Sequence, residues 1–487
     1  MSKRETTRRG FLRAVGSSAA AAAMAPLLAR CAPATQGAGT TVALQAIDPA
    51  ITGWDRVPLI LARIRPPSFA DRDFDVTRYG AIGNGTTDCT DAFRRAIAEC
   101  ASAGGGRVIV PEGRFLTGAI HLRSRVNLHV RRGGTIAFHT DARRYLPVVF
   151  TRYEGLELMS YSPFIYAFEQ TDIAVTGEGT LDGQSDNTHW WPWTGAARFG
   201  WKTGEPNGRA SRGRVAEMAE SNTPVEARVF GEGSYLRPNF IQPYRCRNVL
   251  IEGVRIVNSP MWEIHPVLCE NVTVRNVTIV SHGPNNDGCN PESSRDVLIE
   301  GCVFDTGDDC IAIKSGRNAD GRRLHTPSEN IIVRNCQMRD GHGGVTIGSE
   351  ISGHCRHVYV HDCRMDSPQL DRALRFKNNA LRGGTLEHVY MRDVTVGQVA
   401  ESVLGIDFRY EEGANGPYRA IVRDVELRNV TSNASPYALY LRGIPGSTIT
   451  DVRVVDCTFR NVAKPSVMES VDGVTFKNTT INGQPVS

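Results

Sequence analysis

Apolar and polar residues alternate along much of this chain, in short blocks that recur. "NVLIEGVRI" begins at Asn248, "NVTVRNVTI" at Asn271, "DVLIEGCVF" at Asp296, "NIIVRNCQM" at Asn330 and "HVYVHDCRM" at His357. "HVYMRDVTV" follows at His388, "DVELRNVTS" at Asp424, "DVRVVDCTF" at Asp451 and "GVTFKNTTI" at Gly473. Successive starts lie 23, 25, 34, 27, 31, 36, 27 and 22 residues apart, a spacing typical of stacked supersecondary units. A helical repeat would show an apolar period of 3.6; here the period is two and Val and Ile dominate, so the pattern predicts an all-β parallel β-helix. Its coils stack about 4.8 Å apart, so equivalent side chains form ladders along the axis.

A different pattern precedes the blocks. In "TTDCTDAFRRAIAECASAGGG" the residues Phe93, Ala96, Ile97 and Cys100 share one helical face, Thr87 or Asp88 can cap it, and Gly104 to Gly106 stop it. One short amphipathic helix there predicts a lid on the N-terminal end of the stack. Residues 35–70 carry little pattern and read as a linker, with the β-helix domain running from 71 to 487.

The ladder also explains cysteine usage. Cys302, Cys336, Cys363 and Cys457 fall six residues into their blocks, where sister blocks have Val254, Val277, Val394 and Val430. They are expected to point inward as small hydrophobes, with no need of disulfides. Extra residues between blocks must go into flanking loops, where a scaffold carries function. The longest insertion, at about 182–245, contains "HWWPWTGAARFGWKTG"; its tryptophans either stack on sugar rings or pin the long loop as a cluster.

Net charge adds little once the amino terminus is set apart. Of the formal +4, residues 1–34 hold six basic residues against Glu5, net +5, so the remainder carries −1. No global attraction to nucleic acid or to an anionic membrane is implied, so any anion recognition must be local. Arg8 and Arg9, followed by Phe11-Leu12 and an alanine-rich stretch, mark residues 1–34 as a twin-arginine-type signal peptide cleaved after Ala34. The expected partner is the twin-arginine export machinery and the destination periplasmic or extracellular. A lipid anchor at Cys31 would need a small residue where Arg30 stands. No stretch reaches the ~20 apolar residues of a membrane span.

Three neighbouring blocks carry polar residues where a loop re-enters a strand: "PNNDGCNPESS" (284–294), "TGDDCIAIKSG" (306–316) and "GHGGVTIGSE" (341–350). Asp308 and His342 both lie twelve residues into their blocks, so the ladder places them on adjacent coils, and Asp287 heads its strand as Asp309 heads the next. In "ALRFKNN", Arg375 and Lys377 stand two apart on one strand face. Adjacent strand residues point to opposite faces, so Asp308 and Asp309 can share a groove only if the backbone bends, for which Gly307 is suited. Three crowded carboxyls cannot all ionise readily, which suits acid-base work; hydrolysis with inversion needs one protonated and one ionised carboxyl roughly 6.5–9.5 Å apart. The cationic pair suits capture of a uronic acid, Arg375 by two parallel hydrogen bonds and Lys377 as a point charge.

These four elements, in this order, resemble the Asn-x-Asp, Asp-Asp, Gly-His-Gly and Arg-x-Lys motifs of glycoside hydrolase family 28, the polygalacturonase-like enzymes. They stand here as Asn285-Asn286-Asp287, Asp308-Asp309, Gly341-His342-Gly343 and Arg375-Phe376-Lys377, and "FDVTRYGAIGNGTTD" resembles the start of such domains. The likeness spans roughly residues 72–487; Asn286 stands where Thr is common and Phe376 where Ile is common. The fold it implies is a single-stranded right-handed parallel β-helix of the pectin-lyase-like kind. It implies Asp308 as general acid, Asp287 and Asp309 as the pair that holds and deprotonates water, and His342 as the group tuning Asp308. Arg375, Lys377, Tyr410 and Asn285 are implied as substrate-binding, with no metal and no cofactor. The substrate implied is a pectic polysaccharide or oligogalacturonide, cut by a single inverting displacement; the long insertion favours exo action. Rhamnogalacturonan or xylogalacturonan hydrolysis, a calcium-dependent pectate lyase, and a non-catalytic carbohydrate-binding β-helix are the alternatives.

Overall fold

In the computed structural model, which describes residues 47–487, the nine block starts share one backbone feature. Asn248, Asn271, Asp296, Asn330, His357, His388, Asp424, Asp451 and Gly473 all have φ between +53 and +73°. The sixth residue of each block, from Gly253 and Asn276 to Asp456 and Asn478, also has positive φ. Asn, Asp and Gly adopt this left-handed region at least cost, so the polar residues that bracket each block are the corners of a coil.

Between these corners the strands stack in parallel. Arg247–Glu252 pairs with Glu270–Arg275, which pairs with Arg295–Glu300, and the ladder continues through Ser328–Arg334, Cys355–His361, Gly384–Gln398, Ala420–Ala434, Ile449–Val455 and Val471–Lys477. A second face runs beside it, from Arg255–Val257 through Thr278–Ser281 to Val303–Thr306 and Gln337–Asp340. The third face contains Ile311–Ile313, Val345–Ile347, Arg372–Lys377, Ser402–Asp407 and Tyr437–Arg442, and bridges Ile241↔Ile264, Ile264↔Cys289 and Cys289↔Ile311 extend it toward the N-terminus. The fold is thus a parallel β-helix.

The inward ladder is as the pattern predicts. Cys302, Cys336, Cys363 and Cys457 are buried in the same core as Val254, Val277, Val394 and Val430, and every cysteine among the described residues is a free thiol. At the N-terminal end the helix Thr90–Ser102 buries Ala92, Phe93, Ala96, Ile97 and Cys100. Its N-cap is Cys89, not Thr87 or Asp88; Asp88 instead accepts from the Thr90 amide and hydroxyl, because residues 84–88 are drawn into a strand paired with 113–117. At the other end Gln484–Val486 folds back antiparallel on Thr479–Ile481.

The expectation of a linker over 35–70 is corrected within the described residues. Arg56–Arg63 is a helix that lies on the outer face of the coils, burying Val57, Ile60 and Ile64 against Leu298, Ile332, Tyr359 and Tyr390. The apolar stripe in "RVPLILARI" is too short to stand out, and its partners lie more than two hundred positions away. The signal segment 1–34, with Cys31, lies outside the described residues. No helix of the described residues is long and apolar enough to cross a membrane.

The insertion is ordered. Its helix Arg209–Glu220 buries Val215 and Ala219 against Leu156 and Leu158 of the hairpin Val149–Tyr153/Leu156–Ser160. Its tryptophans take the cluster role: Trp190 is buried among Tyr145, Phe164 and Trp193, and Trp191 donates from Nε1 to the Ser259 carbonyl.

Candidate active site

The stacking register decides which polar residues meet. Cys289, Ile311 and Val345 are successive partners on the third face. Counting back two positions aligns Asp287 with Asp309 and Gly343; counting back three aligns Asp308 with His342. The His342 amide donates to the Asp308 carbonyl at 3.1 Å, and the Gly288 amide to the Asp309 carbonyl at 3.0 Å. One oxygen from each of Asp287, Asp308 and Asp309 lies within 4.8 Å of the others.

Local devices aim these groups. Asp308 and Asp309 occupy the corner between Val303–Thr306 and Ile311–Ile313, where the Thr306 hydroxyl donates to the Asp308 carbonyl and the Asp309 amide donates to Asp308 Oδ1. Gly307 is needed there because a Cβ would sit 2.5 Å from the Gly283 carbonyl of the preceding coil, not because its φ is positive. Gly343 leaves room for Asp309: a Cβ at 343 would meet Asp309 Oδ1 at 3.0 Å and the Thr346 hydroxyl at 2.2 Å. Asn286 is buried and accepts from the Ser281 hydroxyl and the Gly283 amide while donating to the Ser259 and Met261 carbonyls, so it fixes the loop that delivers Asp287.

Each aspartate has its own environment. Asp309 is fully buried, accepting from Lys377 Nζ at 2.5 Å and from the Thr346 hydroxyl at 2.8 Å, with Arg375 Nη1 3.6 Å away. Asp308 faces His342, Nδ1 to Oδ1 3.2 Å. Asp287 accepts from Asn290 Nδ2 at 3.0 Å and lies 3.6 Å from Lys314 Nζ. Burial first, and then the charge of Asp308, push Asp287 up to about 8. Burial also disfavours the charge on Asp308, but the hydrogen bond to His342, followed by the Lys377, His342 and Lys314 charges, holds it below the ordinary carboxylate range. The hydrogen bond to Asp308 in turn raises His342.

Two features of the cluster bear on the expected roles. Within the Asp287–Asp308 pair, burial and the charge of its neighbour disfavour ionisation of Asp287, whereas Asp308 has His342 beside it to favour its charge. The nearest carboxylate oxygens are closer than the ~6.5–9.5 Å set out for an inverting pair. At 4.8 Å or less, two such oxygens can still both accept from one water at ordinary hydrogen-bond lengths.

The remaining expected residues gather at the same cavity, of 230 Å³, which Asn285, Asp287, Asp308, His342, Arg375, Lys377 and Tyr410 help to line. Arg375 donates to the His342 carbonyl at 3.2 Å, and the Tyr410 ring lies 5.9 Å from its guanidinium and 5.6 Å from the Lys377 ammonium. Lys377, expected to face the substrate carboxylate, is engaged by Asp309 and so serves the aspartate as well. Asn285 has φ +55° and its side-chain oxygen accepts from Arg237 of the insertion.

Several lining residues were not singled out in the sequence. Lys314 is buried between Glu350 at 3.0 Å and Asp287, with its ammonium 4.4 Å from the Trp262 ring centre. Arg212, Glu154 and Glu411 also line the cavity, whereas none of the four tryptophans between 190 and 201 does. Lys314 and Glu350 both fall inside the quoted motif stretches, but their pairing is legible only once the coils are stacked. The three aspartates could hold a cation, but Lys377 and Asn290 already donate to two of them.

Residues 231–480 match the family model described as glycosyl hydrolases family 28. The crystal structure of a hyperthermoactive exopolygalacturonase from Thermotoga maritima is similar at 48% identity and a TM-score of 0.86, over 88% of this chain and 96% of that one. An exo-poly-alpha-D-galacturonosidase of Dickeya chrysanthemi is 25% identical over 436 residues, 84% of this chain and 70% of that protein. An exopolygalacturonase of Zea mays is 24% identical over 400 residues, 78% and 83% respectively.

Proposed function

The chain belongs to glycosyl hydrolase family 28, and from that premise we propose that it is an exo-acting polygalacturonase, hydrolysing α-1,4 galacturonosidic bonds of pectin from one chain end. The observation that carries this is the meeting of Asp287, Asp308 and Asp309 between His342 on one side and Arg375 with Lys377 on the other. The Asp308–His342 pair is the acid: the proton shared along their contact passes from Asp308 to the glycosidic oxygen as the bond to the anomeric carbon breaks, and His342 afterwards takes a new proton from solvent for the next turnover. Asp287 and Asp309 bind the water, whose oxygen attacks the anomeric carbon as its proton leaves to the Asp309 carboxylate, the one paired with Lys377. Arg375 and Tyr410 hold the uronate carboxylate and ring. The Similarity to the Thermotoga enzyme and the insertion wall beside the cavity support exo attack.

Time-resolved products from hexagalacturonate test the mode: single sugars or one short unit are expected throughout, and an early spread of intermediate lengths would exclude exo attack. The same run with EDTA should proceed at the same rate without unsaturated products; loss of rate together with near-ultraviolet absorbance would make the enzyme a lyase. Asp308→Asn should lose turnover by orders of magnitude on oligogalacturonides and far less on a galacturonide with a good leaving group, which needs no acid. If Asp287→Asn shows that leaving-group rescue instead, the acid is Asp287. Proton NMR of the first-formed anomer checks inversion; retention would reassign one aspartate as nucleophile. The twin-arginine-type terminus supports export, so replacing Arg8 and Arg9 by Lys should retain the enzyme in the cytoplasm, and unchanged secretion would refute that route.

A further inference from the structure

The catalytic cavity shares Glu154 and Arg212 with a second cavity of 280 Å³. Neither alone reaches the ~300–1,000 Å³ usual for a ligand pocket; joined through their common residues they do. The second cavity is lined by Tyr153, Glu154, Arg209, Arg212, Gly213 and Arg317 among others, which sets three guanidiniums against one carboxylate. Glu154 is already engaged: its Oε2 accepts from Arg212 Nε at 2.5 Å and from Arg317 Nη1 at 3.3 Å. Arg317 Nε is buried without a hydrogen-bond partner among the described residues, and the Arg212 side chain is half exposed. The cavity therefore offers guanidinium donors in excess of its own acceptors, the condition under which an anionic ligand gains most.

Arg209, Arg212 and Gly213 belong to the insertion helix Arg209–Glu220, and Arg317 lies four residues beyond the strand Ile311–Ile313. We propose that this second cavity is a further uronate subsite, built by the insertion, in which Arg212 and Arg317 take the carboxylate of the sugar adjoining the one held at the three aspartates. The inference rests on the polygalacturonase reading, since it assigns the cavity to the next unit of the same acidic chain. A methyl-esterified or neutral sugar there would leave the single carboxylate of Glu154 facing three guanidiniums, so the subsite favours de-esterified substrate.

Two variants test it with tri- and digalacturonate. Arg212→Ala removes the half-exposed cation. Gly213→Phe plugs the cavity: a Cβ at 213 meets nothing within 4 Å, and a helix interior accepts any ordinary residue better than Gly. In each variant the ratio of kcat/KM on the trimer to that on the dimer should fall at least tenfold, with KM for the trimer rising. A ratio within threefold of the unmodified enzyme in either variant overturns the subsite. An unmodified enzyme that cleaves neither oligomer would instead overturn the polygalacturonase reading, and the subsite with it.

Discussion

Lys377 Nζ lies 2.5 Å from Asp309 Oδ2 although the two residues are 68 positions apart and sit two coils from each other. Both are buried, and the Lys377 ammonium is the cation hydrogen-bonded to the Asp309 side chain. Lys377→Met leaves Asp309 without its hydrogen-bonded cation, with Arg375 Nη1 farther off at 3.6 Å. Breaking a buried pair of this kind costs about 3–5 kcal/mol, to be read from urea unfolding, and kcat should fall by about 10²-fold or more. A variant as stable as the unmodified enzyme would show that Asp309 does not depend on this pairing.

Asp287 sets function against stability. It binds its proton far more tightly in the folded chain than the ~3.9 of an unfolded aspartate, being pushed up to about 8 by burial and by Asp308. A folded-state value above the unfolded one means that its contribution to stability falls as pH rises from about 4 toward 8. Asp287→Asn removes the titration while keeping the shape, so the variant should be inactive yet more stable at pH 7 by about 2–4 kcal/mol. Near pH 4 the advantage should shrink away. An equal gain at both values would place the cause outside ionisation.

The Asp308–His342 contact gives the activity an alkaline limit. Bonding to Asp308 raises His342, so the imidazolium persists above the ~6.5 of a free histidine and is lost as pH climbs through the raised value. The kcat/KM profile should therefore fall on its alkaline side with this group. In His342→Gln that limb should vanish and the plateau drop by about 10²-fold. An unaltered limb would assign it to another residue.

The coils were legible because their signal is local and repeated. A corner residue such as Asn271 and an inward one such as Cys302 each follow from position within the block, and the same count brought Asp308 and His342 together. Lys314 was not legible in the same way. It lies five positions beyond Asp309 in a stretch read for its aspartates, and its contacts with Asp287 and Glu350 come from the coils on either side. Trp262 acquires its place under Lys314 in the same manner. Loop contents were harder still: the indoles of Trp190 and Trp193 could equally stack on sugar or on each other, and only packing against Tyr145, Phe164 and Tyr161 decides.

The strap that a linker reading overlooked runs across a series of coils whose first and last members do not touch one another. The Arg65 amide donates to Asn271 Oδ1, Arg63 pairs with Asp296 at 2.8 Å and Arg56 Nε donates to Asn330 Oδ1 at 3.2 Å. Trp54 lies edge-on to Tyr359 at 5.6 Å and donates to Glu426 Oε1 at 3.3 Å. In a stacked solenoid stability is close to a sum of nearest-neighbour terms, so the coils can unzip from either end. A segment tied to the coils that begin at Asn271, Asp296, Asn330, His357 and Asp424 adds longer-range coupling and should make unfolding more cooperative. Ile60 is wholly buried beneath it, and Ile60→Ala should cost about 2–5 kcal/mol. The paired change Trp54→Ala with Arg56→Ala should in addition lower the urea m-value and broaden the transition, while kcat, set on another face of the coil, stays unchanged. A single sharp transition with the original m-value would mean that the strap adds only its own buried area and couples nothing.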